Sequence, residues 1–219
     1  MPDRVRSLVP NAITLLRLVM ATGFFAALGL GLRTAESTAF WGNWAVWIFV
    51  LAALTDVLDG WLARRWKVVS PFGRVMDPFV DKVLVLGAFI YLASPPFAPH
   101  EAGVVPAPVA APTGISTWMV VLVLARELLV TSIRSVLEAE GVAFGADVWG
   151  KIKMLLQSIC IPLSLVLAVN GVADPSNPWK VLQLGVVWAT VAATAASAVP
   201  YVLRGGRLLA GLPRREPRS

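Results

Sequence analysis

Two segments decide the fold of this chain: TDVLDGWLAR at residues 55–64 and GRVMDPFVDK at residues 73–82. They place four aspartates at the ends of two long apolar stretches, where a carboxylate costs roughly 2.5–3.5 kcal/mol if it lies centrally in a membrane helix. Asp56 and Asp59 are three residues apart and Asp77 and Asp81 are four apart, so each pair shares one helical face. We therefore expect an antiparallel helical hairpin in which four carboxylates converge on a bound cation.

The donor atoms of this cluster are carboxylate oxygens alone, which favours a hard ion such as Mg²⁺ or Mn²⁺ over zinc. Gly60 and Ala63 share the helical face of Asp56, and Gly73 lies one turn before the second acidic pair. Because these residues are small, a ligand or another helix can approach the backbone closely. A single structural ion pair, such as Asp56 with Arg64, would not need a second pair of carboxylates on the next helix.

The composition indicates an integral membrane protein, since 57% of the 219 residues are apolar and 15% are charged. A bilayer core about 30 Å thick needs roughly 20 apolar helical residues to cross it. The apolar blocks predict an all-α polytopic protein with six transmembrane helices, near residues 8–32, 41–63, 77–97, 115–138, 152–172 and 178–203. We expect one membrane domain over residues 1–219, with a basic tail over residues 204–219.

Basic residues orient the predicted helices, because Lys and Arg concentrate on the cytoplasmic side of membrane proteins. Basic residues occur before the first span, between the second and third spans and after the sixth, so both termini are expected in the cytoplasm. The predicted location is the cell (inner) membrane, with the acidic site facing the cytoplasm. The net charge of +6 is explained by this asymmetry and by attraction to anionic lipid, so no nucleic-acid partner is expected.

The two acidic segments together carry the pattern Asp-x2-Asp-Gly-x2-Ala-Arg-x8-Gly-x3-Asp-x3-Asp. The residues at its fixed positions are Asp56, Asp59, Gly60, Ala63, Arg64, Gly73, Asp77 and Asp81. This pattern resembles the CDP-alcohol phosphatidyltransferase family, and so does the prediction of six spans. The resemblance implies a homodimeric membrane enzyme that moves a phosphatidyl group from CDP-diacylglycerol to a small alcohol and releases CMP.

The resemblance also implies a role for each residue of the pattern. Divalent metal, two ions of Mg²⁺ or Mn²⁺, would be held by Asp56, Asp59, Asp77 and Asp81. The pocket for the CDP group would be formed by Asp56, Gly60, Ala63, Arg64 and Gly73. Asp81 would in addition be the catalytic base that takes the proton of the acceptor hydroxyl.

The acceptor is predicted from a second, basic cluster. Arg126 and Arg134 are eight residues apart on the fourth span, and Lys151 and Lys153 open the fifth. Such a cluster suits an acceptor that carries a phosphate dianion. The alternative is that these residues are positive-inside anchors, with Arg126 paired locally to Glu127.

Three short pieces resemble the phosphatidylglycerophosphate synthase branch of the family. They are Ala-Arg-Glu at residues 125–127, Gly-Lys-x-Lys-x3-Gln at residues 150–157, and the supporting set Asn11, Thr14 and Arg17. The resemblance implies sn-glycerol 3-phosphate as acceptor, although Ser135 and Met154 depart from the usual Glu and Thr. The alternatives are a cardiolipin synthase, a relative that uses serine or an inositol phosphate, and, in another class, a divalent metal-ion carrier.

Overall fold

The computed structural model describes residues 3–31, 35–66, 71–94, 113–141, 148–172 and 174–210. Within these ranges the protein consists of α-helices and connecting turns, without a β-strand. The helices are α1 (Asp3–Gly31), α2 (Ala35–Trp66), α3 (Pro71–Leu92), α4 (Thr117–Ala139), α5 (Val148–Val169) and α6 (Pro178–Ala210). They overlap the six predicted segments in order, so the prediction of an all-α protein is confirmed.

Four stretches of the described helices are long and apolar enough to cross a membrane. They are Ala12–Gly31, Ser37–Leu58, Val148–Val169 and Pro178–Leu208. Helices α3 and α4 have 22 and 23 residues, or about 33 Å each, and they contain charged side chains such as Asp81 and Arg126. The chain is thus an integral membrane protein, while six spans and the orientation of the termini stay predictions.

Helix α3 begins six residues earlier than its predicted apolar segment, at Pro71 instead of Asp77. Proline is favoured in the first turn of a helix because its missing N–H needs no partner there. The apolar count locates only the part of a helix that suits lipid, whereas the helix itself continues into the polar region. As a result, Asp77 and Asp81 lie inside α3, and α6 likewise continues to Ala210, into the predicted basic tail.

Helix α5 contacts α2, α3 and α6, while α1 packs against α2 and α3, and α4 packs against α3 and α6. Small residues allow some of these close approaches. A Cβ atom at Gly87 on α3 would overlap the ring of Phe25 on α1, and one at Gly42 on α2 would overlap Val169 on α5. This packing brings the acidic helices α2 and α3 beside α5, while α1 lies against both of them.

The first part of α2 and the end of α5 are joined by two amide side chains that hydrogen-bond to each other. Asn43 Nδ2 donates to Asn170 Oδ1 at 3.2 Å, and Asn170 Nδ2 donates to Asn43 Oδ1 at 3.0 Å. Paired amides satisfy each other's polar groups and fix how the two helices are aligned along their length. The alignment places Asp56, in the second half of α2, near the first turns of α5.

Candidate functional site

One face of α1 contacts both acidic helices. Arg17 Nη1 lies 2.7 Å from Asp56 Oδ1 on α2, and Thr14 Oγ1 donates a hydrogen bond of 2.5 Å to Asp77 Oδ1 on α3. Thr14 and Arg17 are 2% and 1% exposed, and they are three residues apart, so they project from the same face of α1. The predicted supporting residues Thr14 and Arg17 therefore lie against two of the four aspartates and orient their carboxylates.

Asp81 of α3 lies within electrostatic range of charged groups on α1, α2, α4 and α5. Its partly buried carboxylate experiences repulsion from Asp56 and Glu127 and attraction from Lys153 and Arg17. Two carboxylates from different helices, Asp56 and Asp81, thus act on each other across the same space. This repulsion is the kind that a divalent cation removes, and hard carboxylate oxygens are the ligands that Mg²⁺ and Mn²⁺ prefer.

The predicted metal, nucleotide and supporting sets include residues whose side chains are outside the described part of the chain. These residues are Asn11, Asp59, Gly60, Ala63, Arg64 and Gly73. Among the side chains that are described, no three Asp, Glu, His or Cys residues come close enough together to hold a metal ion. The set of four aspartates needs Asp59 and stays a prediction, with a donor chemistry that fits a divalent cation.

Glu127 lies at the centre of the basic cluster, although the sequence predicts it only as a local partner of Arg126. Its Oε1 accepts hydrogen bonds from Arg126 Nη1 at 2.9 Å and from Lys153 Nζ at 2.6 Å. The local pairing therefore exists, but it includes Lys153 of α5 as well. One carboxylate shared between two cations leaves a net positive charge at this point.

Helix α6 completes the surroundings of the two arginines. Arg126 Nε donates to Ser197 Oγ at 2.9 Å, and its guanidinium carbon lies 5.3 Å from the centre of the Tyr201 ring. Arg134 Nη2 donates to the hydroxyl of the same tyrosine at 3.4 Å. Tyr201 is therefore in contact with both predicted acceptor-site arginines.

A polar cavity of about 690 Å³ opens beside these groups. Its wall includes Pro78, Lys82, Arg126, Arg134, Lys151 and Tyr201. Among the described residues, Arg126 Nη2 and Arg134 Nε are buried and have no hydrogen-bond partner. Buried donors of this kind are usually satisfied, so a cationic cavity that retains two of them suits an anion with several oxygens.

The structure thus brings three of the four predicted acceptor residues, Arg126, Arg134 and Lys151, to one cavity wall. The fourth, Lys153, directs its ammonium to Glu127. Among the residues that sequence reasoning missed, Lys82 carried a signal because it directly follows Asp81. Ser197 and Tyr201 had none, since they lie in an apolar helix far along the chain.

An apolar groove of about 370 Å³ runs between α2 and α5 and adjoins the cavity. Its wall is made of Val50, Ala53, Leu54, Val57, Lys151, Met154, Leu155 and Ser158. Lys151 and Met154 line both the groove and the polar cavity. The arrangement can accept a molecule that has a polar head and an apolar chain.

The sequence of the chain is similar to those of several known proteins. The pattern of the CDP-alcohol phosphatidyltransferase family matches residues 7–196. A probable phosphatidylglycerophosphate synthase of Mycobacterium tuberculosis is 34% identical over 204 residues, which cover 92% of this chain and 83% of that protein. A CDP-diacylglycerol–glycerol-3-phosphate 3-phosphatidyltransferase of Cereibacter sphaeroides is 31% identical over 180 residues, which cover 78% of this chain and 71% of that protein.

Proposed function

Because the chain belongs to the CDP-alcohol phosphatidyltransferase family, whose pattern covers residues 7–196, we propose that it transfers the phosphatidyl group of CDP-diacylglycerol to sn-glycerol 3-phosphate. The products are phosphatidylglycerol phosphate and CMP, in phospholipid biosynthesis. The relatives' names support this reaction, and family membership favours an enzyme over the metal-ion carrier. The observation that carries the choice of acceptor is the cavity in which Arg126 and Arg134 retain buried N–H groups without a partner in the described part of the chain.

The acceptor phosphate is expected to bind between Arg126 and Arg134. A guanidinium group matches phosphate oxygens in geometry, and hydrogen bonds between charged groups are about twice as strong as neutral ones. Lys82 and Lys151 on the same wall add positive potential that attracts a dianion. An uncharged acceptor would leave these cations unpaired in a partly dehydrated site.

Asp81 is proposed as the base that acts on the acceptor hydroxyl. Asp81 directly precedes Lys82 and follows Pro78 by three residues, and both of these line the cavity. We therefore expect the hydroxyl end of a bound acceptor to point toward the aspartates. The hydroxyl oxygen attacks the phosphorus that carries diacylglycerol, the bond from that phosphorus to the CMP oxygen breaks, and the hydroxyl proton passes to Asp81. The carboxylate acts by its position beside the nucleophile.

The predicted divalent ions, two of Mg²⁺ or Mn²⁺, would be held by Asp56, Asp59, Asp77 and Asp81. When bound, they would neutralise the pyrophosphate of CDP-diacylglycerol and the charge of the departing CMP. Arg17 and Thr14 keep Asp56 and Asp77 in place from α1. The CDP group itself is proposed to lie against the small residues Gly60, Ala63 and Gly73 and the side chain of Arg64.

The membrane arrangement follows from the same proposal. The chain would form one domain of six spans in the cell (inner) membrane, with both termini and the site on the cytoplasmic side, and would act as a homodimer. CDP-diacylglycerol would reach the site from the lipid, with an acyl chain in the apolar groove between α2 and α5. The continuity of groove and cavity at Lys151 and Met154 supports this route.

The proposed acceptor is tested with purified enzyme, labelled CDP-diacylglycerol and a panel of acceptors. We expect CMP release with sn-glycerol 3-phosphate and little or none with glycerol, serine, an inositol phosphate or phosphatidylglycerol. The panel is needed because Ser135 and Met154, which depart from the branch pattern, both line the cavity. EDTA should abolish turnover, and excess Mg²⁺ or Mn²⁺ should restore it. Exclusive use of an uncharged acceptor, or full activity in EDTA, would contradict the proposal.

The acyl-chain groove is tested by filling it. Leu155→Trp places a large ring on the groove wall at a side chain that is already exposed to lipid, so folding should be preserved. We expect the KM for long-chain CDP-diacylglycerol to rise several-fold, while a short-chain analogue reacts normally. Val121→Trp, at an exposed position on α4 outside the groove, is the matched control and should leave both substrates unaffected. Equal effects of the two variants would argue against the groove.

A further inference from the structure

Helix α6, for which the sequence predicts no role in the site, contacts both arginines of the cavity. We propose that Tyr201 and Ser197 of α6 are positioning residues that set Arg126 and Arg134 in the orientation that binds the acceptor phosphate. This inference rests on the proposed function, because it concerns how the same acceptor site is built. Both residues lie just beyond residue 196, where the match to the family pattern ends.

Arg126 is constrained on three sides. Ser197 Oγ accepts from its Nε at 2.9 Å, Glu127 accepts from its Nη1 at 2.9 Å, and its guanidinium carbon lies over the Tyr201 ring. Ser197 is itself fixed, because its hydroxyl donates to the Thr194 carbonyl at 2.8 Å. Nη2 is the nitrogen of this guanidinium that has no acceptor among the described residues.

Tyr201 connects this arginine to the second one. Its ring contacts Arg126, and its hydroxyl accepts from Arg134 Nη2 at 3.4 Å, which leaves Nε of Arg134 without an acceptor in the described residues. A Cβ atom placed on Gly150 would lie 3.6 Å from the tyrosine hydroxyl and 3.7 Å from Arg126 Nη2. The hydroxyl and the free donor of Arg126 thus border the same point of α5, where glycine leaves room in the cavity.

An unconstrained arginine must lose its rotational freedom when it binds an anion, whereas a constrained one has lost it already on folding. One buried tyrosine that restrains two guanidinium groups therefore favours binding of a ligand that contacts both. The ligand class is a phosphate monoester, since its three terminal oxygens can accept from both arginines at once. CDP-diacylglycerol, whose phosphates belong at the aspartates, should not depend on this arrangement.

The decisive variant is Tyr201→Phe, which removes the hydroxyl contact with Arg134 and keeps the ring beside Arg126. We expect the KM for sn-glycerol 3-phosphate to rise about 2- to 12-fold, the range for loss of one hydrogen bond. The KM for CDP-diacylglycerol should be unchanged.

Tyr201→Leu and Ser197→Ala should raise the acceptor KM as well, and Tyr201→Leu should have the larger effect because it removes both contacts. Tyr91→Phe is the matched control, since Tyr91 is the other tyrosine of the chain and stacks on Phe25 away from the cavity.

A second measurement separates this inference from the proposed function. Titration calorimetry with inorganic phosphate measures anion binding whichever acceptor the enzyme uses. Weaker phosphate binding by Tyr201→Phe than by wild type and Tyr91→Phe would support the positioning role even if sn-glycerol 3-phosphate proved not to be the acceptor. Unchanged phosphate binding, or an equal rise in the KM of both substrates with a lower unfolding temperature, would overturn it.

Discussion

Asp81→Asn is expected to reduce kcat by about 10²- to 10⁴-fold, the usual contribution of a positioned general base. The amide keeps the size of the carboxylate but cannot take the proton of the acceptor hydroxyl. Loss of a carboxylate from the proposed metal set should add to the effect. The measurement is CMP release from labelled CDP-diacylglycerol at saturating sn-glycerol 3-phosphate, with several concentrations of Mg²⁺ or Mn²⁺.

Asp174→Asn is the control for this variant. Asp174 is exposed in the turn between α5 and α6, where its carboxylate accepts from the backbone N–H and the hydroxyl of Ser176. It lies beyond the end of α5, and Val169, the last residue of that helix, is 16 residues or about 24 Å along the helix from Lys153, so Asp174 is far from the aspartates. The control should retain full activity. Normal turnover by Asp81→Asn would exclude Asp81 as the base.

Arg126→Met is expected to raise the KM for sn-glycerol 3-phosphate by about 10- to 150-fold, which corresponds to the roughly 1.5–3 kcal/mol of a hydrogen bond between charged groups. Methionine fills much of the space of the arginine stem, so the packing against Ser197 and Tyr201 is largely kept. Glu127 retains Lys153 as a partner, and the variant therefore does not leave an unpaired buried carboxylate. The acceptor KM and the CDP-diacylglycerol KM should be measured together.

The matched control is Arg207→Met, which removes an exposed arginine from the last turn of α6. It lowers the net charge by the same amount and should not change either KM. A similar increase for both arginine variants would point to a general effect of charge at the membrane surface. An Arg126→Met enzyme with a normal acceptor KM would contradict the phosphate site.

The acidic and the basic half of the site differ in how far the sequence predicts them. In the acidic half, the spacing of Asp56, Asp77 and Asp81 within helices predicts which face each carboxylate occupies. Their convergence around a metal ion stays a prediction. Thr14 and Arg17, which the sequence predicts as supporting residues, contact Asp77 and Asp56 in the structure. Asp59 and the small residues of the pattern lie outside the described side chains, so their predicted roles stay predictions.

The basic half was only partly predictable. Arg126, Arg134 and Lys151 could be grouped by their helical spacing and a short loop, and they do share one cavity. The hydrogen bond between Lys153 and Glu127 depends on the relative position of α4 and α5. The sequence around either residue does not predict that position. The contacts of Arg126 with Ser197 and of Arg134 with Tyr201 join residues 71 and 67 positions apart.

From the sequence alone, the protein is an all-α membrane enzyme with acidic pairs on two consecutive helices, because hydropathy and helical periodicity act along the chain. Only the tertiary structure decides which helices meet. In a bilayer the lipid-facing side of a helix is as apolar as its protein-facing side, so hydropathy does not identify neighbours. For that reason the contacts of α6 with the arginines of the cavity are visible only in the packed structure, because the sequence of α6 is that of an apolar helix.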